Sequence, residues 1–140
     1  MSFIVSKDTT TLKKYVPDDS DTFPFESVVC DVTVPGTFTT IGKEAFYEAY
    51  NVRSVIIEEG VTSIADWTFY GCNSINSITV PESVKYIGKY AFLSHYDETE
   101  KYNAQDNIEI NHIYITDIST WIGRDYINTT SNPFCNSKNI

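Results

Sequence analysis

The sequence predicts an α/β solenoid in which each coil consists of a short strand and a short helical or 3-10 turn. Three observations lead to this fold class: the chain repeats itself every 23 residues, each repeat contains an alternating apolar segment of strand length, and a phenylalanine at a fixed place precedes that segment. A repeat this short buries too little apolar surface to fold alone, so the repeats are expected to stack on one another.

The register of the repeat extends over several apolar columns. Within one repeat, the alternation around Ile78 and Val80 predicts a strand, and Phe69, five residues after Ile64, predicts a turn that leads into a short helical segment. A shift of 23 residues aligns Ile41 with Ile64 and Ile87, Phe46 with Phe69 and Phe92, Val52 with Ile75, Val55 with Ile78, Ile57 with Val80, and Val61 with Val84.

Composition and charge exclude several classes of function. The 140 residues suffice for one domain, and the net charge of −9, without a basic stripe, argues against nucleic-acid binding and against docking on an anionic membrane. A basic partner would instead be attracted. No apolar stretch is long enough for membrane insertion, and "MSFIVSKD" lacks a signal-peptide pattern, so the chain as written is expected in the cytoplasm.

Catalytic, metal and cofactor sites are not expected. Cys30, Cys72 and Cys135 form no CxxC pair and are odd in number, which favours free thiols over disulfides or a zinc site. Cys72 aligns with Ala49, which favours a packing role. Neither histidine accompanies a serine or cysteine motif, and no phosphate loop or dinucleotide fingerprint occurs. We therefore predict a protein that is not an enzyme and binds no cofactor.

The segment "SIADWTFYGCNSINSITVPESVKYIGKYAF" resembles the BspA-like leucine-rich repeats, whose units join an Ile-Gly-x-x-Ala-Phe-x-x-Cys half to a Leu-x-x-Ile-x-Ile-Pro half. The N-terminal "FIVSKDTTTLKKYVP" resembles a hairpin that often precedes such coils, and "IYITDISTWIGRDYINTTSNPF" resembles a divergent unit of the family. The resemblance implies a right-handed leucine-rich-repeat solenoid of about four coils with an N-terminal β-hairpin cap. It also implies protein binding or adhesion without catalysis, often at cell surfaces or after secretion.

The single domain, residues 1–140, is expected to have four parts. They are an N-terminal hairpin and cap (1–25), regular repeats (26–92), an inserted loop (93–109) and a divergent C-terminal repeat (110–140). The chain given ends at "CNSKNI", where a further strand would be expected to begin. Because exposed solenoid ends need a cap or a partner, we expect a homodimer through this end or a last segment folded over it.

The strands provide the first candidate binding surface, a concave sheet. If Ile78 and Val80 face the core, their neighbours Ser77 and Thr79 face outward. The resemblance implies that this sheet is a binding face, because leucine-rich repeats commonly bind through it. The alternative is a merely solvated sheet. The same two columns hold Asp31 and Thr33, Ser54 and Ile56, and His112 and Tyr114 in the other units.

A second candidate surface lies on the helical side, where Trp67 and Tyr90 share a column with Glu44, and Tyr47 and Tyr70 share a column with Leu93. Exposed Trp and Tyr are favoured interface residues. The alternative is that these aromatic rings only pack against one another from coil to coil.

The third candidate surface is the inserted loop, which is polar, acidic and rich in tyrosine. Loops on rigid scaffolds often carry function, and the alternative is a tolerated insertion. The loop lacks the residue order of a calcium-binding loop, so we predict no metal. Its candidate residues are Tyr96, Asp97, Glu98, Glu100, Tyr102 and Asp106.

The leading hypothesis is an interaction module that binds protein through the sheet, the loop, or both. One alternative is a small acidic inhibitor inside the cell, encoded by a mobile element, that blocks a basic site on a host protein; the charge of −9 favours it. The other alternative is a structural piece of a larger assembly, joined through its C-terminal end.

Overall fold

The computed structural model describes residues 2–16, 30–92 and 112–115. Within these residues the chain forms strands and turns and no helix. The strands of the described part are β1 (Ser2–Val5), β2 (Thr11–Val16), β3 (Cys30–Val34), β4 (Thr40–Ile41), β5 (Val52–Ile57), β6 (Ser63–Ile64), β7 (Ser77–Val80), β8 (Tyr86–Ile87) and β9 (His112–Ile115).

The strands form two sheets, to which the chain contributes alternately. One sheet has the order β3-β5-β7-β9 with parallel pairing throughout, and the other has the order β1-β2-β4-β6-β8. The pairing follows the 23-residue register: Val55 pairs with Ile78 in the first sheet, and Ile64 pairs with Ile87 in the second. The repeat predicted from the sequence is therefore confirmed in the regular part of the chain.

The N-terminal hairpin consists of β1 and β2, which pair in antiparallel orientation. The turn of this hairpin contains Thr9, which has a positive φ of 61°. The Thr9 N–H donates to the Ser6 carbonyl at 2.9 Å. The Asp8 carboxylate accepts from the Ser6 hydroxyl and, at 3.2 Å, from the Thr10 N–H, and these bonds hold the pKa of Asp8 below its ordinary value. Strand β2 then pairs in parallel with β4, so the hairpin continues the five-stranded sheet.

The core lies between the two sheets and contains the apolar columns of the repeat. Phe46, Phe69 and Phe92 are almost fully buried, and their rings stack with centroids 5.0 Å and 5.4 Å apart. Tyr15 from the hairpin adds a fourth ring, 5.2 Å from Phe46. A continuous aromatic column therefore joins the hairpin to the regular repeats.

The segments predicted as helical or 3-10 are hydrogen-bonded turns instead, so the helical part of the α/β prediction is wrong for the described residues. The Phe46 and Glu48 amides donate to the Thr68 and Tyr70 carbonyls of the next repeat, both at 2.8 Å. In an α-helix each backbone N–H donates to the carbonyl four residues earlier in the same segment. Here every second N–H donates to the next repeat instead, so a helix cannot form. The turns also contain residues at positive φ, namely Glu44 at 56°, Trp67 at 59° and Tyr90 at 57°.

Candidate binding surface

Two rows of paired residues cross the four-stranded sheet in register, and we call them together the outer sheet face. One row runs through Asp31, Ser54, Ser77 and His112, and the other through Thr33, Ile56, Thr79 and Tyr114. The structure thus aligns the strand residues singled out from the sequence. His112 and Tyr114 are placed by strand register alone.

Exposure follows the predicted alternation along these strands. Val55 and Ile78 are buried, whereas Asp31 and Thr33 are exposed and Ser77 and Thr79 are half-buried. Ile56 is 45% exposed, although an isoleucine on a sheet usually faces a core. The outer sheet face therefore combines small polar groups with one exposed branched apolar side chain.

An ion pair lies at one border of the outer sheet face. The Arg53 guanidinium donates to Asp31, with Nη2 2.8 Å from Oδ2 and Nε 3.2 Å from Oδ1. The Ser54 hydroxyl also donates to Asp31 Oδ1, at 2.8 Å. Hydrogen bonds from Arg53 and then from Ser54 hold the pKa of Asp31 below its ordinary value. The carboxylate thus stays charged and oriented at neutral pH.

Sequence reasoning missed Arg53, which occupies an irregularity of β5. The pairing shifts from Cys30 with Val52 to Asp31 with Ser54, so Arg53 has no opposite residue on β3. A bulge of this kind redirects a side chain locally. The signal in the sequence is the pair of polar residues between Val52 and Val55, which breaks the period of two expected for a strand.

The aromatic residues on the turn side pack against one another. The ring of Trp67 lies 4.8 Å from that of Tyr90 and 5.1 Å from that of Tyr70, and Tyr47 stacks on Tyr70 at 5.1 Å. Trp67 and Tyr90 are both half-buried by these contacts, and their role in binding stays a prediction. Glu44, in the same column, is exposed and pairs with Lys43 at 3.5 Å.

The third candidate surface lies outside the described residues. This applies to the whole inserted loop and to the C-terminal end at which a homodimer was expected, as well as to Leu93. The loop residues concerned are Tyr96, Asp97, Glu98, Glu100, Tyr102 and Asp106.

The described thiols are held by hydrogen bonds. The Cys72 thiol is buried and donates to the Phe46 carbonyl at 2.8 Å, and burial raises the pKa of Cys72 to about 12. Cys72 is therefore not a nucleophile at neutral pH. Cys30 is half-buried, with its sulfur 3.2 Å from the Tyr15 hydroxyl.

The part of the chain that the structure describes contains neither a candidate metal site nor a helix that could span a membrane. No group of His, Cys, Asp and Glu there could hold a metal ion. No helix there has the length and apolarity needed to cross a membrane.

Comparison with known proteins identifies the family. The model of the "BspA type Leucine rich repeat region (6 copies)" matches residues 19–140, which is most of the chain and begins just after the hairpin. This chain therefore belongs to the BspA-type leucine-rich-repeat family, as its sequence resemblance predicts.

The other comparisons add little to this assignment. No curated protein matches the chain. Among solved structures, it is similar to a leucine rich cell surface protein from Faecalibacterium prausnitzii A2-165, with 16% identity and a TM-score of 0.38. The match covers 90% of this chain and 41% of the other, so this chain spans less than half the length of that protein.

Proposed function

We propose that this chain is a non-catalytic module for protein binding or adhesion that acts through the outer sheet face. Its scaffold would be a right-handed solenoid of about four coils. The observation that supports this function best is the register of the two outward rows, which brings Thr33, Ile56 and Thr79 into one line across three strands. Family membership is consistent with it, since leucine-rich-repeat proteins generally bind protein partners.

The chemistry of this face suits a protein partner better than a small molecule. Ile56 offers an exposed apolar contact, and the flanking Thr33 and Thr79 offer hydroxyl donors and acceptors at the same height on the sheet. At the border of this face, the negative charge of Asp31 is balanced by the positive charge of Arg53. Such an apolar centre with a polar surround is the usual arrangement of a protein interface.

The size of the face indicates that it acts with a neighbouring segment. The four strands are four to six residues long and lie about 4.8 Å apart, so they cover on the order of 300 Å². A standard interface covers about 800 Å² on each partner. We therefore include the inserted loop, residues 93–109, as a second part of the contact, because it directly precedes β9 in the chain.

A binding experiment in the host's lysate and surface fraction tests the proposal. The baits are the intact chain, an Ile56→Arg variant, and a variant whose residues 96–106 are replaced by a short Gly-Ser linker. The matched control is Tyr86→Arg, since Tyr86 is 46% exposed but lies in the other sheet. We expect the Ile56→Arg change to abolish capture of a partner that the control retains.

Three results separate the rival functions. Capture that is unaffected by both Ile56→Arg and loop replacement would overturn the proposal. A basic partner held only at low salt would favour the acidic inhibitor, since exposed charges are screened beyond about 10 Å at 0.1 M salt. Concentration-dependent self-association without any partner would favour the structural piece of an assembly.

A further inference from the structure

The turn from Tyr47 to Tyr50 exposes two aromatic rings on either side of a carboxylate. Tyr47 is 48% exposed and Tyr50 is 50% exposed, and Glu48 between them is also exposed. The three residues precede β5 in the chain and belong to neither row of the outer sheet face. They form a separate surface, which we call the Tyr47–Tyr50 turn.

The backbone and one ring of this turn are fixed by contacts with the next repeat. Glu48 lies at a φ of 52°, its N–H donates to the Tyr70 carbonyl at 2.8 Å, and its carbonyl accepts from the Tyr50 N–H at 2.8 Å. The Tyr47 ring stacks on Tyr70 with an interplanar angle of 18°. A ligand would therefore meet a largely preorganised site, which lowers the entropic cost of binding.

The carboxylate of the turn is without a basic partner in the described part of the chain. The ion pairs recorded there join Lys43 to Glu44 and Arg53 to Asp31, and no lysine or arginine pairs with Glu48. Desolvation and, after it, the negative charge of Glu48 raise the pKa of Tyr47 and of Tyr50.

We propose that the Tyr47–Tyr50 turn binds the cationic side chain of a lysine or arginine in a basic protein segment. A cation is attracted to the faces of tyrosine rings and to an adjacent carboxylate. The net charge of −9 brings a basic partner toward the chain. A neutral sugar would also stack on exposed rings, but it would leave the Glu48 charge without a counter-charge.

In the test, an eight-residue peptide in which lysine alternates with glycine is added to the full chain at low ionic strength. Binding is measured from changes in the backbone amide chemical shifts of the chain. We expect the shifts to concentrate at residues 47–50. Tyr47→Ala, Tyr50→Ala and Glu48→Gln should each weaken binding roughly two- to fivefold, as expected for one exposed cation–π or ion-pair contact. Acetylation of the lysines should abolish the shifts.

Two control variants separate this site from general charge attraction. Tyr86→Ala removes an equally exposed ring on β8, and Glu58→Gln removes one charge while keeping an oxygen for its 3.0 Å bond from the Gly36 N–H. Both should bind the peptide as the unmodified chain does. The Tyr50 ring contacts no other ring among the described residues. Tyr50→Ala therefore tests the site even if Tyr47→Ala disturbs the stacking on Tyr70.

Two outcomes would overturn the proposal. The first is an equal loss of binding in Glu48→Gln and Glu58→Gln with no effect of either tyrosine change, because that pattern indicates general electrostatics. The second is a set of shifts at residues 47–50 with a neutral oligosaccharide such as cellohexaose and none with the lysine peptide, which would make the turn a sugar-binding surface.

Discussion

The ring of Tyr15 stacks on the ring of Phe46, with centroids 5.2 Å apart and planes 15° apart. Tyr15 is 4% exposed, and its N–H donates to the Ala45 carbonyl at 2.7 Å. Its hydroxyl lies 3.2 Å from the Cys30 sulfur and accepts from the Asn51 amide at 3.3 Å. Through these contacts the hairpin shares the core of the repeats.

Replacement of Tyr15 should therefore destabilise the repeats as well as the hairpin. We expect Tyr15→Ala to lower the free energy of unfolding by about 3–5 kcal/mol, the usual cost of removing a buried aromatic ring. Tyr15→Phe should cost about 1 kcal/mol, since it removes only the hydroxyl's hydrogen bonds. Urea unfolding measures both, with the exposed Tyr86→Ala as control. Equal stability of Tyr15→Ala and Tyr86→Ala would contradict the shared core.

Gly71 and Glu48 occupy the same column of the repeat, and both have positive φ, 73° and 52°. We expect Gly71→Ala to cost roughly 1–2 kcal/mol, because a Cβ is disfavoured in this conformation and would lie 3.0 Å from Glu48 Cγ. Glu48→Gly should be nearly neutral, since relief of strain offsets the entropy that glycine adds to the unfolded chain. Thermal unfolding compares the two, and a Gly71→Ala variant as stable as the unmodified chain would rule out this backbone argument.

Cys72 should make stability fall at high pH. Burial raises the pKa of its thiol to about 12 from an ordinary value of 9.0. Above pH 9 the thiol of the unfolded chain therefore loses its proton, while the buried thiol of the folded chain keeps it. The free energy of unfolding is thus highest below pH 9 and falls as the pH rises toward 12. We expect an extra loss of about 1.4 kcal/mol per pH unit above 9 relative to Cys72→Ala. If the free energies of unfolding of Cys72→Ala and the unmodified chain depended on pH in the same way, burial would not be raising the pKa of the thiol.

The Asp31–Arg53 pair should be visible in the titration of one carboxyl group. Hydrogen bonds from Arg53 and Ser54 lower the pKa of Asp31 below 3.8, so the stability that they contribute is present above that value and is lost as the pH falls through the folded pKa. We expect Arg53→Gln to move the carbon-detected NMR midpoint of Asp31 back toward 3.8. The effect on stability should be small because both side chains are exposed. An unchanged midpoint would show that the pair is not formed in solution.

The strands of the four-stranded sheet were predictable because their cause is local and periodic. The two-residue strands β4, β6 and β8 were not predicted, since the sequence analysis assigned one strand to each repeat. Buried positions such as Val55 and Ile78 recur at a fixed spacing, and this spacing sets the register of parallel pairing. The outward positions Ile56 and Thr79 follow from the alternation. The alternation does not predict whether these residues bind a partner. An outward-facing side chain is expected both on a binding surface and on a sheet that is only exposed to solvent.

The features that sequence reasoning missed depend on contacts between repeats or on distant segments. A helical turn fits the spacing of Phe69, but its amide donates to the Ala91 carbonyl of the next repeat at 2.8 Å, which no local pattern reveals. Arg53 reaches Asp31 only because β5 is irregular at that point. Tyr15 joins the aromatic column because the hairpin brings β2 beside β4.

Site-specific photo-crosslinking tests the central claim most directly. A photoreactive phenylalanine analogue replaces Ile56 on the outer sheet face in one protein and Tyr86 on β8 in another, two positions of almost equal exposure, 45% and 46%. Each is irradiated with the partner captured by the intact chain. We expect the partner to be crosslinked from position 56 and not from position 86. Crosslinking from position 86 alone would show that the outer sheet face is not the binding surface.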